Sequence, residues 1–192
     1  MNAHRGVVIE TSRLRLRELV YSDAEFLVAL MNEPDFLQNI GDRGVRCEAD
    51  AHSYLDVGPL ASYAANGFGL WCVERADTAE PLGLCGLLRR ETLPHPDVGY
   101  ALLPHARGQG IAREAVAAVL VYARTVLRLD TVVAIVAPTN ERSIRLLERL
   151  DYRRTELVTA APGAAPVWLF VPPTPPNADM SGPLVTETML GR

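Results

Sequence analysis

The chain has 192 residues, of which 48% are hydrophobic and 22% charged, with 19 Lys and Arg against 23 Asp and Glu. This length predicts one domain with a sizeable core, and the net charge of −4 argues against a nucleic-acid binder that relies on bulk charge. No apolar run approaches the roughly 18–20 residues of a membrane span, and three cysteines without metal-ligand spacing argue against a disulfide scaffold and a structural zinc site.

The N-terminal half predicts one strand followed by helices. Its first ten residues lack the apolar core of a signal peptide, so we expect a cytoplasmic protein. Residues 13–17 alternate polar and apolar, which is typical of a half-buried strand, and its three arginines are expected on a solvated face of an edge-like strand. Helices are predicted over 22–33 and 47–63, the second interrupted by Gly58-Pro59, with a loop over 35–46.

The second half predicts most of a mixed α/β sheet. Strands are expected over 70–73, 82–88, 98–103, 131–137 and 167–171, the first two as an antiparallel hairpin, and helices over 110–129 and 139–150. Four prolines lie within five residues from Pro172 onward, and no core pattern follows them. We therefore divide the chain into a domain over 1–171 and a Pro-rich tail over 172–192.

The densest functional signal is the segment Arg107-Gly108-Gln109-Gly110, which lies between a predicted strand and a predicted helix. Two glycines two residues apart allow a tight turn and a close approach of the backbone to a ligand. The helix that follows offers unpaired N–H groups and the positive end of its dipole. The pattern therefore predicts a site for phosphate or pyrophosphate.

Three known loop types compete for this segment. The phosphate loop of nucleotide hydrolases requires Gly-Lys-Ser/Thr, which is absent from the sequence, and the dinucleotide loop requires glycine where this chain has Arg113. The remaining match is Arg107-x-x-Gly110-x-Ala112. It resembles the acetyl-CoA pyrophosphate loop of the GNAT N-acetyltransferases.

Other segments extend this resemblance along the chain. Residues 11–17, 97–102 and 140–152 are similar, in order and spacing, to the branch that contains the ribosomal-protein N-terminal acetyltransferases. The resemblance covers about Thr11 to Arg154. It implies a mixed, mainly antiparallel central sheet flanked by helices, with splayed central strands, and an acetyl-CoA-dependent N-acetyltransferase without a metal.

The resemblance also implies which residues bind acetyl-CoA. Backbone groups near Leu102 and Leu103 would pair with the pantetheine arm, and the following loop would hold the pyrophosphate. Asn140 would bond the pantetheine or cysteamine region, although an Asn at that position is equally a helix N-cap. The implied binding residues are Leu102, Leu103, Arg107, Gly108, Gln109, Gly110, Ile111, Ala112 and Asn140.

The catalytic residues are harder to assign because the chain departs from the family pattern. Many members place a Tyr as general acid seven residues after the Asn, where this chain has Leu147. The resembling branch instead implies a serine donor, which is Ser143 here, and a first-turn helix serine is the plain alternative. Asp97 and Glu91 are candidate bases acting through water, and His95 is a weaker one.

The reaction expected is direct transfer of acetyl from acetyl-CoA to a primary amine, either a small molecule or a peptide N-terminus. Two other functions stay open: an acyl-CoA-binding module without catalysis, favoured by Leu147, and an interaction protein that uses its Pro-rich tail. No nucleic-acid or membrane partner is expected, and a homodimer stays open.

Overall fold

A computed structural model describes residues 6–161 and 163–173, so nearly all of the predicted tail lies outside the described residues. The strands are β1 (Val7–Glu10), β2 (Leu14–Arg17), β3 (Leu70–Arg75), β4 (Pro81–Leu88), β5 (Asp97–Leu102), β6 (Ala134–Val136), β7 (Arg153–Thr159) and β8 (Pro166–Val171). The helices are α1 (Ala24–Met31), α2 (Pro34–Asn39), α3 (Glu48–Leu55), α4 (Ala61–Asn66), α5 (Ile111–Thr125) and α6 (Glu141–Glu148), and 3₁₀ turns span Tyr21–Asp23 and Pro104–Ala106.

The strands form two sheets that meet at one point. Strands β1 to β5 are antiparallel neighbours in chain order, and a second sheet has the order β6-β8-β7. A parallel bridge joins Asp97 to Val133, where the Val98 N–H donates to the Val133 carbonyl at 2.9 Å. Within the described residues β5 and β6 pair nowhere else. This opening between central strands confirms the predicted mixed, splayed architecture.

Helices cover both faces of the first sheet. On one face α5 buries Ile111, Ala115 and Val119, which recur at helical spacing, and α6 adds Ile144 and Leu147 to the same core. On the other face α1, α2 and α3 form a second apolar cluster with residues of β3 and β4. Both faces of the first sheet are therefore covered by helices.

The structure corrects several predicted elements. The segment predicted as loop over 35–46 contains α2, which begins at Pro34; proline suits the first position of a helix, where no N–H is needed. At the predicted interruption, Gly58-Pro59, the chain forms one wide helical turn over Asp56–Leu60. This turn connects α3 to α4 without a break. Strands β1 and β7 were not predicted, and β7 is exposed along almost its whole length, so no alternation marks it.

The expectation of a solvated arginine face on β2 is wrong for one residue. Strand β2 lies between β1 and β3, and Arg17 is only 8% exposed. Its guanidinium donates two bonds of 2.8 Å to Asp23 and one of 2.8 Å to Glu74. The buried positive charge is thus satisfied by two buried carboxylates, whereas Arg15 pairs with an exposed Glu10.

Candidate functional site

A groove of about 880 Å³ opens where β5 and β6 separate. Its walls come from the end of β5, the loop after it, the first turn of α5, one side of α6 along its length, and α2. Most of the binding residues that the sequence predicts line it, namely Leu102, Arg107, Gly108, Gly110, Ile111, Ala112 and Asn140. Ser143 lines it as well. The structure therefore brings the predicted loop and the predicted serine to one place.

The loop at the start of α5 has the conformation that an anion site requires. Gly108 and Gly110 have φ of +75° and +78°, and a Cβ at Gly108 would meet no atom within 4 Å. The first backbone bond of α5 runs from the Glu114 N–H to the Gly110 carbonyl, so the N–H groups of residues 111–113 have no partner inside the helix. These groups and the helix dipole favour a bound anion at this end of the groove.

A contact from Arg13, the residue just before β2, orients this loop. The Arg13 guanidinium donates to the Gln109 carbonyl at 3.0 Å and to Glu114 at 2.7 Å. Because a peptide unit is planar and trans, the N–H of Gly110 points away from the carbonyl that Arg13 holds. The Gln109 side chain instead donates to the His105 carbonyl at 2.6 Å and does not line the groove, so its predicted binding role has no geometric support.

The backbone of β5 offers polar groups along its open edge. Val98 donates to Val133, the residue just before β6, and Leu103 donates to Leu82 on the β4 side at 2.9 Å. Since groups alternate along a strand, the N–H of Tyr100 and of Leu102 face the splayed side, as that of Val98 does. Leu102 is therefore placed for the predicted pairing with an extended ligand, whereas the N–H of Leu103 is already bonded within the sheet.

Positive charge dominates the groove. Five arginines line it, namely Arg107, Arg113, Arg142, Arg145 and Arg149. The carboxylate among the lining residues is that of Asp35 on α2. Arg107 donates to the Leu102 carbonyl at 2.9 Å and to Asp35 at 2.7 Å. Arg142 donates to the same carboxylate at 3.1 Å. The groove thus suits a ligand with several negative charges.

The start of α6 brings together two of the predicted residues. The Asn140 Oδ1 accepts the N–H of Ser143 at 3.1 Å, so Asn140 acts as the helix N-cap. The Ser143 side chain is partly buried at the groove wall. Leu147, at the position where the resembling family often has Tyr, is 1% exposed and belongs to the apolar core.

Tyr100 is a groove residue that sequence reasoning missed. It lines the groove, and its Oη is shielded from solvent without a hydrogen-bond partner among the described residues. Burial raises the pKa of Tyr100 to about 12, and the nearby Ser143 hydroxyl acts in the lowering direction. Leaving such a hydroxyl unpaired costs about 1–3 kcal/mol. The available signal was the alternation of β5, which places Tyr100 on the same face as Leu102.

The two predicted carboxylate bases lie elsewhere. Asp97 begins β5, about 16 Å from Leu102 at the other end of the strand. It is 1% exposed and accepts a bond of 2.8 Å from Arg90, and burial raises its pKa while Arg90 opposes that shift. Glu91 and His95 are exposed in the turn after β4. None of the three lines the groove.

Two further features of the described residues concern metal binding and membranes. No group of three or more His, Cys, Asp or Glu is placed to hold a metal ion in that part of the chain. None of its helices has both the length and the apolar character of a membrane span.

Comparison with known proteins gives a consistent result. The family model described as "Acetyltransferase (GNAT) domain" matches residues 13–153. The N-acetyltransferase YoaA of Bacillus subtilis, itself described as uncharacterized, is 27% identical over 148 residues, which are 77% of this chain and 83% of that protein.

Solved structures share the fold at lower identity. An acetyltransferase from Agrobacterium tumefaciens has a TM-score of 0.74 at 23% identity and covers 91% of this chain and 99% of its own. A ribosomal L7/L12 α-N-protein acetyltransferase, RimL, has a TM-score of 0.72 at 14% identity. The match covers 86% of this chain and 92% of that protein. Spermidine N-acetyltransferase from Vibrio cholerae, solved with CoA and spermine, has a TM-score of 0.67 at 19% identity. The match covers 84% of this chain and 94% of that protein.

Proposed function

This chain belongs to the GNAT acetyltransferases, and from that premise we propose that it moves an acetyl group from acetyl-CoA to a primary amine by direct transfer in a ternary complex. One observation carries the proposal: a glycine loop with free helix N–H groups lies at the open edge of β5, in a groove lined by arginines. An anion site beside an exposed strand edge suits a ligand with a phosphate end and an amide-containing arm.

The groove residues fit acetyl-CoA in order. The pyrophosphate would lie against the N–H groups of Gly108, Gly110 and Ala112, with Arg107 supplying charge. The pantetheine amides would bond the outward backbone groups of Leu102. Asn140 caps α6 through its Oδ1, and its Nδ2 is the atom that would reach the coenzyme.

For this reaction the protein must hold the amine next to the thioester, stabilise the oxyanion and provide for two proton transfers. The neutral amine attacks the thioester carbon, and a backbone N–H at the open edge of β5 stabilises the oxyanion. The carbon–sulfur bond then breaks, and we assign the proton that sulfur takes up to the Ser143 hydroxyl. Asp97 and Glu91 lie outside the groove, so water is the group that would first receive the amine proton.

The acceptor class is proposed as a primary amine, either on a small molecule or at a peptide N-terminus. The names of two structural neighbours include one of each kind, a spermidine acetyltransferase and a ribosomal-protein acetyltransferase. The second candidate function, acyl-CoA binding without catalysis, is favoured by the burial of Leu147 in the core, which leaves no phenol at that helix position. We place the acetyltransferase domain within residues 1–171 and the Pro-rich tail after it.

A thiol-release assay tests this proposal. The full chain is incubated with acetyl-CoA and separately with amino acids, polyamines, aminoglycosides and peptides. We expect at least one amine to release thiol, and Ser143→Ala to lower that rate at least about tenfold because the proton donor is lost. The control is Ser53→Ala, which removes an exposed hydroxyl bonded to its own helix at the Ala49 carbonyl.

The outcomes separate the two candidate functions. Tight acetyl-CoA binding without thiol release from any amine would support the binding module. An unchanged rate in Ser143→Ala would transfer the proton-donor role from the serine to water.

A further inference from the structure

The hydroxyl of Tyr100 is a buried polar group that the proposed chemistry does not use. It reaches the groove wall from β5, and among the described residues its Oη has no partner that meets full hydrogen-bond geometry. A buried hydroxyl that lacks a partner is unfavourable, so the site gains stability when a partner is supplied. The polar side chain that acts on it is Ser143, which lines the same groove from α6.

The Ser143 hydroxyl is free to accept that bond. Its backbone is held in place because its N–H is bonded to the Asn140 cap at 3.1 Å, which leaves the side-chain torsion to rotate. A helical serine often donates to the carbonyl four residues earlier, as Ser53 does at 3.1 Å. Ser143 makes no such bond within the described residues, so its proton is not committed to the helix.

We propose that Tyr100 is the positioning residue for Ser143: its Oη–H donates to the serine Oγ and leaves the serine proton directed at the sulfur of acetyl-CoA. This inference rests on the proposed function. As the carbon–nitrogen bond forms and the carbon–sulfur bond breaks, sulfur takes the proton of Ser143. Ser143 then takes the proton of Tyr100, water in the groove later returns a proton to the phenolate through Ser143, and the amine nitrogen gives one to water.

Proton transfer from Tyr100 through Ser143 to sulfur has a chemical advantage over donation by the serine alone. An aliphatic alcohol such as that of Ser143 is a weaker acid than a phenol, even one like Tyr100, whose pKa burial raises to about 12. Passing the charge to the phenol therefore avoids a serine alkoxide. It also supplies a phenol from the strand side of the groove, whereas the helix position at which the family often has Tyr holds the buried Leu147.

The first test is Tyr100→Phe, which keeps the ring and removes only the hydroxyl. We expect kcat to fall at least about tenfold while KM for acetyl-CoA stays within about twofold. Tyr122→Phe, on α5 with its ring edge-on to Trp71, is the matched control and should leave both quantities unchanged.

The double variant Tyr100→Phe/Ser143→Ala tests whether the two hydroxyls act as one unit. We expect its kcat to lie within about twofold of the slower single variant, since a residue that acts through another adds no independent effect. Wild-type kcat in Tyr100→Phe, or single effects that multiply in the double variant, would overturn the inference.

A signal that is independent of turnover separates this inference from the proposed function. In protein labelled with ¹³C at tyrosine Cζ, the Tyr100 resonance is the one that Tyr100→Phe removes. We expect it to move when coenzyme A is added to the wild type and to stay in place in Ser143→Ala. If coenzyme A shifts the Tyr100 resonance equally in the wild type and in Ser143→Ala, the proposed Tyr100–Ser143 hydrogen bond is refuted. If the shift depends on Ser143 but no amine releases thiol, the proposed function alone is refuted.

Discussion

Replacing Asp35 with Asn is expected to tighten the binding of acetyl-CoA. The Asp35 carboxylate lies 2.7 Å from an Arg107 nitrogen and 3.1 Å from an Arg142 nitrogen, in the arginine-lined groove. It therefore pairs with the two guanidinium groups that a phosphate would bind. A bound phosphate must either displace the carboxylate or bind the same guanidinium groups beside it. Arg107 stays placed without it, because the Leu102 carbonyl also holds that side chain.

The size of the effect follows from Coulomb's law. A phosphate charge about 6 Å from the carboxylate, at an effective dielectric constant of about 40 to 80, is repelled by roughly 0.7–1.4 kcal/mol. Removing that charge predicts a Kd about three- to tenfold lower, with a smaller gain at high salt. Asp35 is 44% exposed, so losing its ion pairs should cost no more than about 1 kcal/mol of folding stability.

Calorimetric titration at low and high salt measures this effect. Asp42→Asn is the control, because that carboxylate is exposed, pairs with Arg46 and does not line the groove. Acetyl-pantetheine, which lacks the nucleotide phosphates, should bind the wild type and Asp35→Asn equally. Weaker acetyl-CoA binding by Asp35→Asn would refute the reasoning and show that the carboxylate holds the arginines in their binding geometry.

Two further predictions concern stability and thiol reactivity. Arg17→Ala should lower the free energy of unfolding in urea by about 3–5 kcal/mol, because two buried carboxylates lose their partner; Arg15→Ala should cost less than about 1 kcal/mol, and equal losses would contradict the account. In the native protein a thiol reagent should modify exposed Cys47 alone, since burial raises the pKa of Cys72 to about 12 and that of Cys85 above its ordinary value. Rapid modification of a second thiol would show that the core opens.

The features that the sequence predicted best were encoded by neighbouring residues. The loop from Arg107 to Ala112 combines glycine conformation with a helix start, and both are local properties. The same holds for the cap at Asn140, whose partner is three residues away. Strands with alternating or continuous apolar residues, such as β4 and β5, were placed correctly for the same reason.

The features that were missed depend on residues far apart in the chain. Arg17 was expected in solvent because its second partner, Glu74, lies on a strand 57 residues away. Asp97 was a candidate base because it begins the strand that carries Leu102, but the length of that strand separates it from the groove. Tyr100 was not proposed because its environment depends on α6, which lines the same groove from a segment about 40 residues further along the chain.

An amide chemical-shift titration with acetyl-CoA tests the central claim most directly, because it locates the ligand without assuming catalysis. We expect the largest shifts at residues 107–112, with further shifts at Leu102, Asn140 and Ser143. A second cavity of about 370 Å³, bounded by α4 and the ends of β3 and β4, offers the alternative location. Shifts concentrated there, or no shifts at saturating ligand, would contradict the assignment of the groove.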